Sequence, residues 1–376
     1  MHNQCLFPLR RSIIASEMHL CSFLRARRAS VGINRRQQRC YHSCFTASPH
    51  CVRKTSNLSP PTETRMHIYD LIGVLDGTHT TPPHPEIRLL PEAGMTAVLS
   101  PRSSCDATLP TDQTSCLSEA ARRLALQESC LPLSTLLPVQ RTYGLTQLQA
   151  RRFLSANQPF LANLLRRHAG LVQVQVTVRW QEEVALDHFR NHPAIRPLFA
   201  LARLNSKNVI DAVTELSADL CRQIEGYLLP EATERIALPV TRSILWNGVL
   251  LLPLGRLSDL DDAIEQIDAI WSDGFAISQI GPAPIASFAL VTLETVTPAQ
   301  VAQANATFRT APSIQWGLRA GLKAAGQNAE KRDSIRLLAR IAEAAARLPT
   351  PEEGLSLAGL RTEGHSIANN AQQAVA

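Results

Sequence analysis

The chain has 376 residues, enough for about two domains, and its 45% hydrophobic content is ordinary for a globular protein. The formal net charge of +6 is uneven, because residues 1–65 hold 11 Lys+Arg and 2 Asp+Glu while the rest hold 27 and 30. The body is therefore mildly acidic, which argues against a nucleic-acid-binding protein, and no run approaches the roughly 20 apolar residues of a membrane helix.

The first 65 residues are rich in arginine and contain five of the nine cysteines. Three interpretations stay open. The composition is typical of an organellar targeting peptide. A zinc site is a second possibility, although the ligand spacing departs from the usual paired pattern. Its candidate ligands are Cys40, His42, Cys44, His50 and Cys51. The third interpretation, which we favour, is that translation begins at Met66 or that the segment is a disordered tail. The four cysteines of the body lack metal-like spacing, which is typical of reduced thiols in a cytosolic protein.

The first half of the body alternates predicted strands and helices. We expect strands at 67–75, 95–99 and 136–143, helices at 117–129 and 146–167, and a proline-rich loop at 78–91. Gly170 ends the second helix. The strand that follows is the clearest in the chain, because Val172, Val174, Val176 and Val178 alternate with polar residues. A period of two predicts one apolar and one wetter face, which favours an α+β layer over a doubly wound fold.

The second half continues in the same way. We expect helices at 207–228 and 329–348, a buried strand at 244–252, and a helix that Ser258 caps. The apolar stripe of the 329–348 helix needs a surface to cover, either the body of the chain or a partner. Beyond Pro349 the sequence is small and polar, which predicts a disordered tail.

The segment from Phe275 to Glu294 has two strand-like runs that flank Gly281-Pro282-Ala283-Pro284. Proline lacks the N–H that a sheet ladder needs, so neither proline fits a central, fully paired strand. We therefore expect a stiff corner between two strands. No side chain here is a nucleophile, a base or part of a metal cluster, which indicates architecture or a docking surface.

Elsewhere in the sequence, the motifs that would indicate metal binding or catalysis are weak. His188 and His192 have the i, i+4 spacing of zinc ligands on a helix, but Pro193 follows at once, so we favour two solvated histidines. The acidic cluster at 259–262 is explained by its place at a predicted helix start. The sequence contains neither a phosphate-binding glycine motif nor a nucleophile motif.

Four segments, taken in order, resemble the gas vesicle protein L/F family (GvpL/GvpF). They are the strand Ile68–Leu75, Gly94-Met95-Thr96-Ala97-Val98-Leu99-Ser100-Pro101, Leu136-Leu137-Pro138-Val139, and Gly281-Pro282-Ala283-Pro284-Ile285-Ala286-Ser287-Phe288. The resemblance covers about residues 66–290. The chain departs from it at Ala283, Ile285 and Ala286, where the family has tryptophan, proline and tyrosine. It also has Gln140, Arg141 and Thr142 in place of Arg-Phe-Gly.

The resemblance implies an α+β fold of two mixed α/β-layer domains, the second ferredoxin-like, with added helices and a C-terminal helix. The expected division is an extension at 1–65, an N-terminal domain at 66–180, a helical connector at 181–230, a ferredoxin-like domain at 231–310, and a helical tail with a disordered end at 311–376. The motif positions carried over are Pro138, Gly281, Pro282, Pro284, Ser287 and Phe288, with no chemical role.

The resemblance also implies a non-enzymatic, cytoplasmic protein of gas vesicle assembly. Its expected partners are the hydrophobic major shell protein and other gas vesicle accessory proteins, with no cofactor, nucleic acid or membrane. An alternative is a ferredoxin-like regulatory domain that binds a small ligand between its layers. A third hypothesis is an enzyme that uses a metal held by His188 and His192.

Overall fold

The computed structural model describes residues 67–102, 113–140, 144–200, 206–350 and 354–361. Contacts divide the chain into Met1–His67 and a second unit, Ile68–Ala376, and everything below concerns the second unit. The basic extension with its candidate zinc ligands lies outside the described residues, as does the end of the chain after Arg361. Among the described residues, no helix is long and apolar enough to cross a membrane.

The first sheet has four antiparallel strands. They are β1 (Tyr69–Asp76), β2 (Arg88–Glu92), β3 (Met95–Pro101) and β4 (Leu136–Pro138), in the order β2-β3-β1-β4. Helices α1 (Gln113–Cys130) and α2 (Gln147–Arg167) cover its opposite faces. This explains why β1 is apolar almost throughout, since all but its last residue are buried.

One boundary of this sheet differs from the expectation. The predicted loop at 78–91 is wrong for its last residues, which belong to β2. Pro91 is tolerated there because β2 is an edge strand. Ala93 and Gly94 have φ values of 53° and 78°, which are typical of a type I′ turn, and this turn joins β2 to β3.

The second sheet is also antiparallel. Its strands are β5 (Leu171–Arg179), β6 (Glu234–Ala237), β7 (Ile244–Pro253) and β8 (Ala276–Ala283), in the order β6-β7-β5-β8. Helices α3 (Glu182–His188) and α4 (Ser206–Leu228) separate β5 from β6, and α5 (Leu257–Asp268) separates β7 from β8. The chain order of this sheet is therefore β-α-β-β-α-β.

The valine alternation of β5 is confirmed. All four valines are buried, and those at 174, 176 and 178 pack with α4 and α5. The opposite face of the sheet is less wet than expected, because Val249 and Leu251 join the core that also contains β1 and α2. Ser258 does not cap α5. A 3-10 turn at Leu254–Arg256 leads directly into the helix, which therefore begins one residue before Ser258.

The last part of the described chain contains a two-stranded antiparallel sheet and three helices. Its elements are β9 (Leu290–Val296), α6 (Pro298–Phe308), α7 (Ile314–Ala325), α8 (Ala329–Ala345) and β10 (Leu355–Arg361). The tail beyond Pro349 was expected to be disordered, but residues 355–361 form β10. The apolar stripe of α8 packs in a core with α6, β9 and β10, so the body of the chain covers it.

A buried asparagine closes the outer edge of β10. Asn157 lies on α2 and is 5% exposed. Its Oδ1 accepts from the Ala358 N–H at 2.8 Å, and its Nδ2 donates to the Ser356 carbonyl at 2.8 Å. The side-chain amide thus takes the hydrogen-bonding place of a neighbouring strand.

The end of α2 contains a buried histidine with a consequence for pH dependence. His168 is 4% exposed. Burial lowers its pKa below the ordinary 6.5, and the charge of Arg167 acts in the same direction, against a smaller opposing effect of Glu234. The unfolded chain therefore binds this proton more readily, so this part of the stability is complete above pH 6.5 and is lost as the pH falls from there through the lowered pKa.

We expect His168→Gln to reduce the acid sensitivity of folding. The free energy of unfolding, measured by urea denaturation at about pH 7.5 and about pH 5.5, should fall more in the wild type than in the variant. Equal losses in the two proteins would show that other groups determine this pH dependence.

Candidate functional site: the Gly-Pro-x-Pro corner

The corner begins with an irregularity at the end of β8. Gln175 pairs with Ile280 and Gln173 with Ala283, so β8 contains one more residue than β5 over this stretch. Gly281 lies in the extra stretch with φ of 134°, and its peptide bond to Pro282 is cis. A Cβ at position 281 would lie 2.9 Å from the Gln173 carbonyl oxygen, so only glycine fits there.

The position of β8 explains why the strand accepts proline. In the part of the chain that the structure describes, β8 is an edge strand and pairs with β5 alone. The expectation that neither proline lies in a central strand is therefore confirmed: Pro282 lies in this edge strand and Pro284 follows it. The Ile285 carbonyl then accepts from the N–H groups of Phe288 and Ala289, at 2.9 and 2.8 Å, and this tight turn leads into β9.

One side chain of the second sheet holds this turn. The Ser287 N–H donates to Gln173 Oε1 at 2.9 Å, and Ser287 is 1% exposed. Gln173 belongs to the polar face of β5, which the sequence alternation assigns to a wetter environment. Its role was missed because its partner lies 114 residues away in sequence.

The Leu-Pro-Val motif of the first sheet contacts β9, the strand that directly follows the corner. Val139, immediately after Pro138, forms a parallel bridge with Val291 of β9, and the Gln140 N–H donates to the Val291 carbonyl at 2.7 Å. Arg123 on α1 reinforces this junction, since its Nη2 donates to the Leu71 and Val139 carbonyls at 2.7 and 2.5 Å. The end of β4 and the start of β9, which are distant in sequence, therefore meet where the first sheet borders the strand that follows the corner.

The six motif positions are mostly buried. Pro138, Pro284, Ser287 and Phe288 are buried, whereas Gly281 and Pro282 are half-buried. Phe288 and Ile285 belong to the core that unites β1, α2 and the second sheet. This arrangement can fix the relative positions of two sheets, but it presents no ionisable side chain.

The structure separates the two histidines considered as metal ligands. His188 ends α3 and stacks on Trp271 with ring centroids 5.0 Å apart. His192 lies beyond the helix, with Nε2 3.1 Å from Asp219 Oδ2 and Nδ1 accepting from the Ala194 N–H. Within the described ranges, no group of three or more His, Cys, Asp or Glu residues could hold a metal ion.

A comparison with models of protein families shows to which family the chain belongs. A model of the gas vesicle synthesis protein GvpL/GvpF matches residues 51–289. The chain belongs to the GvpL/GvpF family. The match includes all six motif positions and ends at the corner, directly before β9, while its first residues lie outside the described ranges.

Solved structures of GvpF proteins are similar to this chain. GvpF from Anabaena sp. PCC7120 has 17% identity and a TM-score of 0.43, with 58% of this chain and 96% of that chain covered. GvpF from Microcystis aeruginosa has 15% identity and a TM-score of 0.44, with 58% and 97% covered. No curated protein sequence matches this GvpL/GvpF family member significantly.

Proposed function

We propose that this protein is a non-enzymatic accessory or minor structural protein of gas vesicle assembly, which binds the hydrophobic shell protein before that protein enters the growing wall. The match to the GvpL/GvpF model over residues 51–289 carries the proposal. The proposed location is the cytoplasm and the gas vesicle, and the proposed partners are the shell protein and other gas vesicle accessory proteins.

The character of the motif supports a structural role. We propose that the six motif positions act by joining the first sheet to the second. They are Pro138, Gly281, Pro282, Pro284, Ser287 and Phe288. Four of the six are buried and none carries an ionisable side chain, so they suit architecture better than catalysis or direct contact with a partner. The alternative of a small-ligand site between layers has less support, because apolar side chains from β5, α4 and α5 fill that space.

We also propose two α+β domains, the second of them ferredoxin-like. The β-α-β-β-α-β chain order and the strand order β6-β7-β5-β8 support this proposal. The boundary expected between residues 180 and 181 separates β5 from its sheet partners β7 and β8. We therefore move the proposed boundary to Gly170 and retain the added helices that follow β9.

The test of shell-protein binding is co-expression of the full tagged chain with the shell protein. We expect the shell protein to stay in the supernatant and to elute with the tagged chain, because binding shields its apolar surface. Shell protein expressed with an unrelated tagged protein is the control and should sediment.

Deletion of the gene in the native host should reduce the number of vesicles seen by electron microscopy, and re-expression should restore it. A shell protein that never elutes with the chain, together with normal vesicle numbers after deletion, would contradict the proposed function.

A further inference from the structure

Helix α7 is the least covered long element of the described chain, since none of its 12 residues is buried. Its inner side packs closely: a Cβ at Gly317 would lie 2.7 Å from Phe308 Cδ1, and one at Gly321 would lie 3.1 Å from Ile335 Cγ2. Its outer side is exposed along its length, and Trp316 there is 58% exposed. An exposed tryptophan beside small residues is an unusual feature for a solvent-facing helix.

The outer side of α7 is also positively charged. We call it the basic face, and it consists of Gln315, Trp316, Arg319, Ala320, Lys323 and Ala324, all exposed. Neither Arg319 nor Lys323 forms an ion pair with any described residue. The surrounding residues 298–350 hold eight Lys+Arg and three Asp+Glu, so the body's mild acidity does not extend to this region.

The opposite charge is concentrated on α5, which packs on α4 in the second sheet's layer. Residues 257–273 hold six Asp+Glu and no Lys or Arg. We call the outer side of this helix the acidic face, formed by Asp261, Asp262, Glu265 and Asp268. Among the described residues, none of these four has a cationic partner, because Arg256 pairs with Asp259 and Glu231 instead.

We propose that copies of this chain associate head to tail, with the basic face of one copy docked on the acidic face of the next. The two faces match in spacing as well as in sign. Arg319 and Lys323 are four residues apart, as are Asp261 and Glu265, and four residues of α-helix span about 6 Å. The cations of one copy can therefore meet the carboxylates of another at the same time.

One exposed apolar side chain beside each charged face adds an apolar contribution to the proposed contact. Trp316 offers a large, rigid side chain beside the cations, and Leu254, just before α5, is 42% exposed. Because the two faces differ, each copy keeps one face unused after pairing, so the contact extends into a string or closes into a ring. This inference goes beyond the proposed function and does not depend on shell-protein binding.

Sedimentation velocity of the full chain tests the contact. The sedimentation coefficient should rise with protein concentration at about 0.01 M salt and should not rise at about 1 M salt, since the Debye length falls from roughly 30 Å to roughly 3 Å. Reversing two charges on either face should weaken association by roughly tenfold or more. The two variants are Arg319→Glu/Lys323→Glu and Asp261→Lys/Glu265→Lys.

Mixing these two variants is the decisive measurement. One then carries two acidic faces and the other two basic faces, so neither should associate alone, but an equimolar mixture should regain association. Arg196→Glu/Lys207→Glu is the control for Arg319→Glu/Lys323→Glu, because it changes the net charge by the same amount at exposed positions outside both faces. A wild-type chain that stays monomeric at low salt would overturn the proposal. So would a mixture that fails to associate although circular dichroism shows both variants folded.

Discussion

Replacing Asn157 by leucine should lower the free energy of unfolding by about 2–5 kcal/mol. The substitution removes the partners of the Ala358 N–H and the Ser356 carbonyl, and both groups then lie at a strand edge that α2 covers. A buried backbone group without a hydrogen bond costs about 1–3 kcal/mol. Leucine has the same number of side-chain non-hydrogen atoms in the same branched arrangement, so the substitution leaves no cavity, and the loss comes chiefly from the unsatisfied polar groups.

Asn163→Leu on the same helix is the matched control. Asn163 is exposed, and a surface change of this kind should alter the stability by no more than about 0.5 kcal/mol. Urea denaturation followed by circular dichroism measures both variants. If Asn157→Leu unfolds at the same urea concentration as Asn163→Leu, the amide does not hold β10 in place.

The second large effect is expected at Gly281. Alanine at this position should destabilise the fold by about 2–4 kcal/mol, because a side chain at φ of 134° is strained and its Cβ would approach the backbone of β5. The strain falls at the junction of the two sheets, where neither β5 nor the buried turn that follows can move easily. Urea denaturation gives the free energy directly.

Gly226→Ala supplies a control of opposite sign. Gly226 lies inside α4, and a Cβ there would meet no atom within 4 Å. Alanine is favoured over glycine in a helix by about 0.5–1 kcal/mol, so this variant should be more stable than the wild type. A Gly281→Ala protein as stable as Gly226→Ala would show that the corner tolerates a side chain.

The sequence predicted those elements whose signal is local and periodic. The valine alternation of β5 and the apolar stripe of α4 each repeat over many residues, and a repeat of that length overrides single unfavourable positions. The corner predicted at Gly281–Pro284 was right only in part: β8 continues through Ala283, and the chain turns from Pro284 onward. The missing N–H of proline is a property of the residue itself, so the exclusion of Pro282 from a central strand was predictable.

The remaining features depend on contacts between distant residues. Strand β10 is held by hydrogen bonds from β9 and Asn157. Leu355 and Leu357 alternate with Ser356, but this signal is too short to outweigh the small and polar residues around it. Gln173 and Arg123 look like ordinary surface residues in their own elements, yet both bond the junction of the sheets. The edge position that admits Pro91 into β2 is likewise a property of the sheet and not of the segment.

The position of β10 has a consequence for synthesis. Asn157 and Ala358 are 201 residues apart, and Ala358 belongs to the same core as β1 and α2. A ribosome that has completed both four-stranded sheets has therefore not yet delivered the strand that closes this core. During that interval the chain exposes apolar surface of α2 and β9, and contacts of such long range form slowly. Residues of β10 therefore complete a core that the residues of β1 begin.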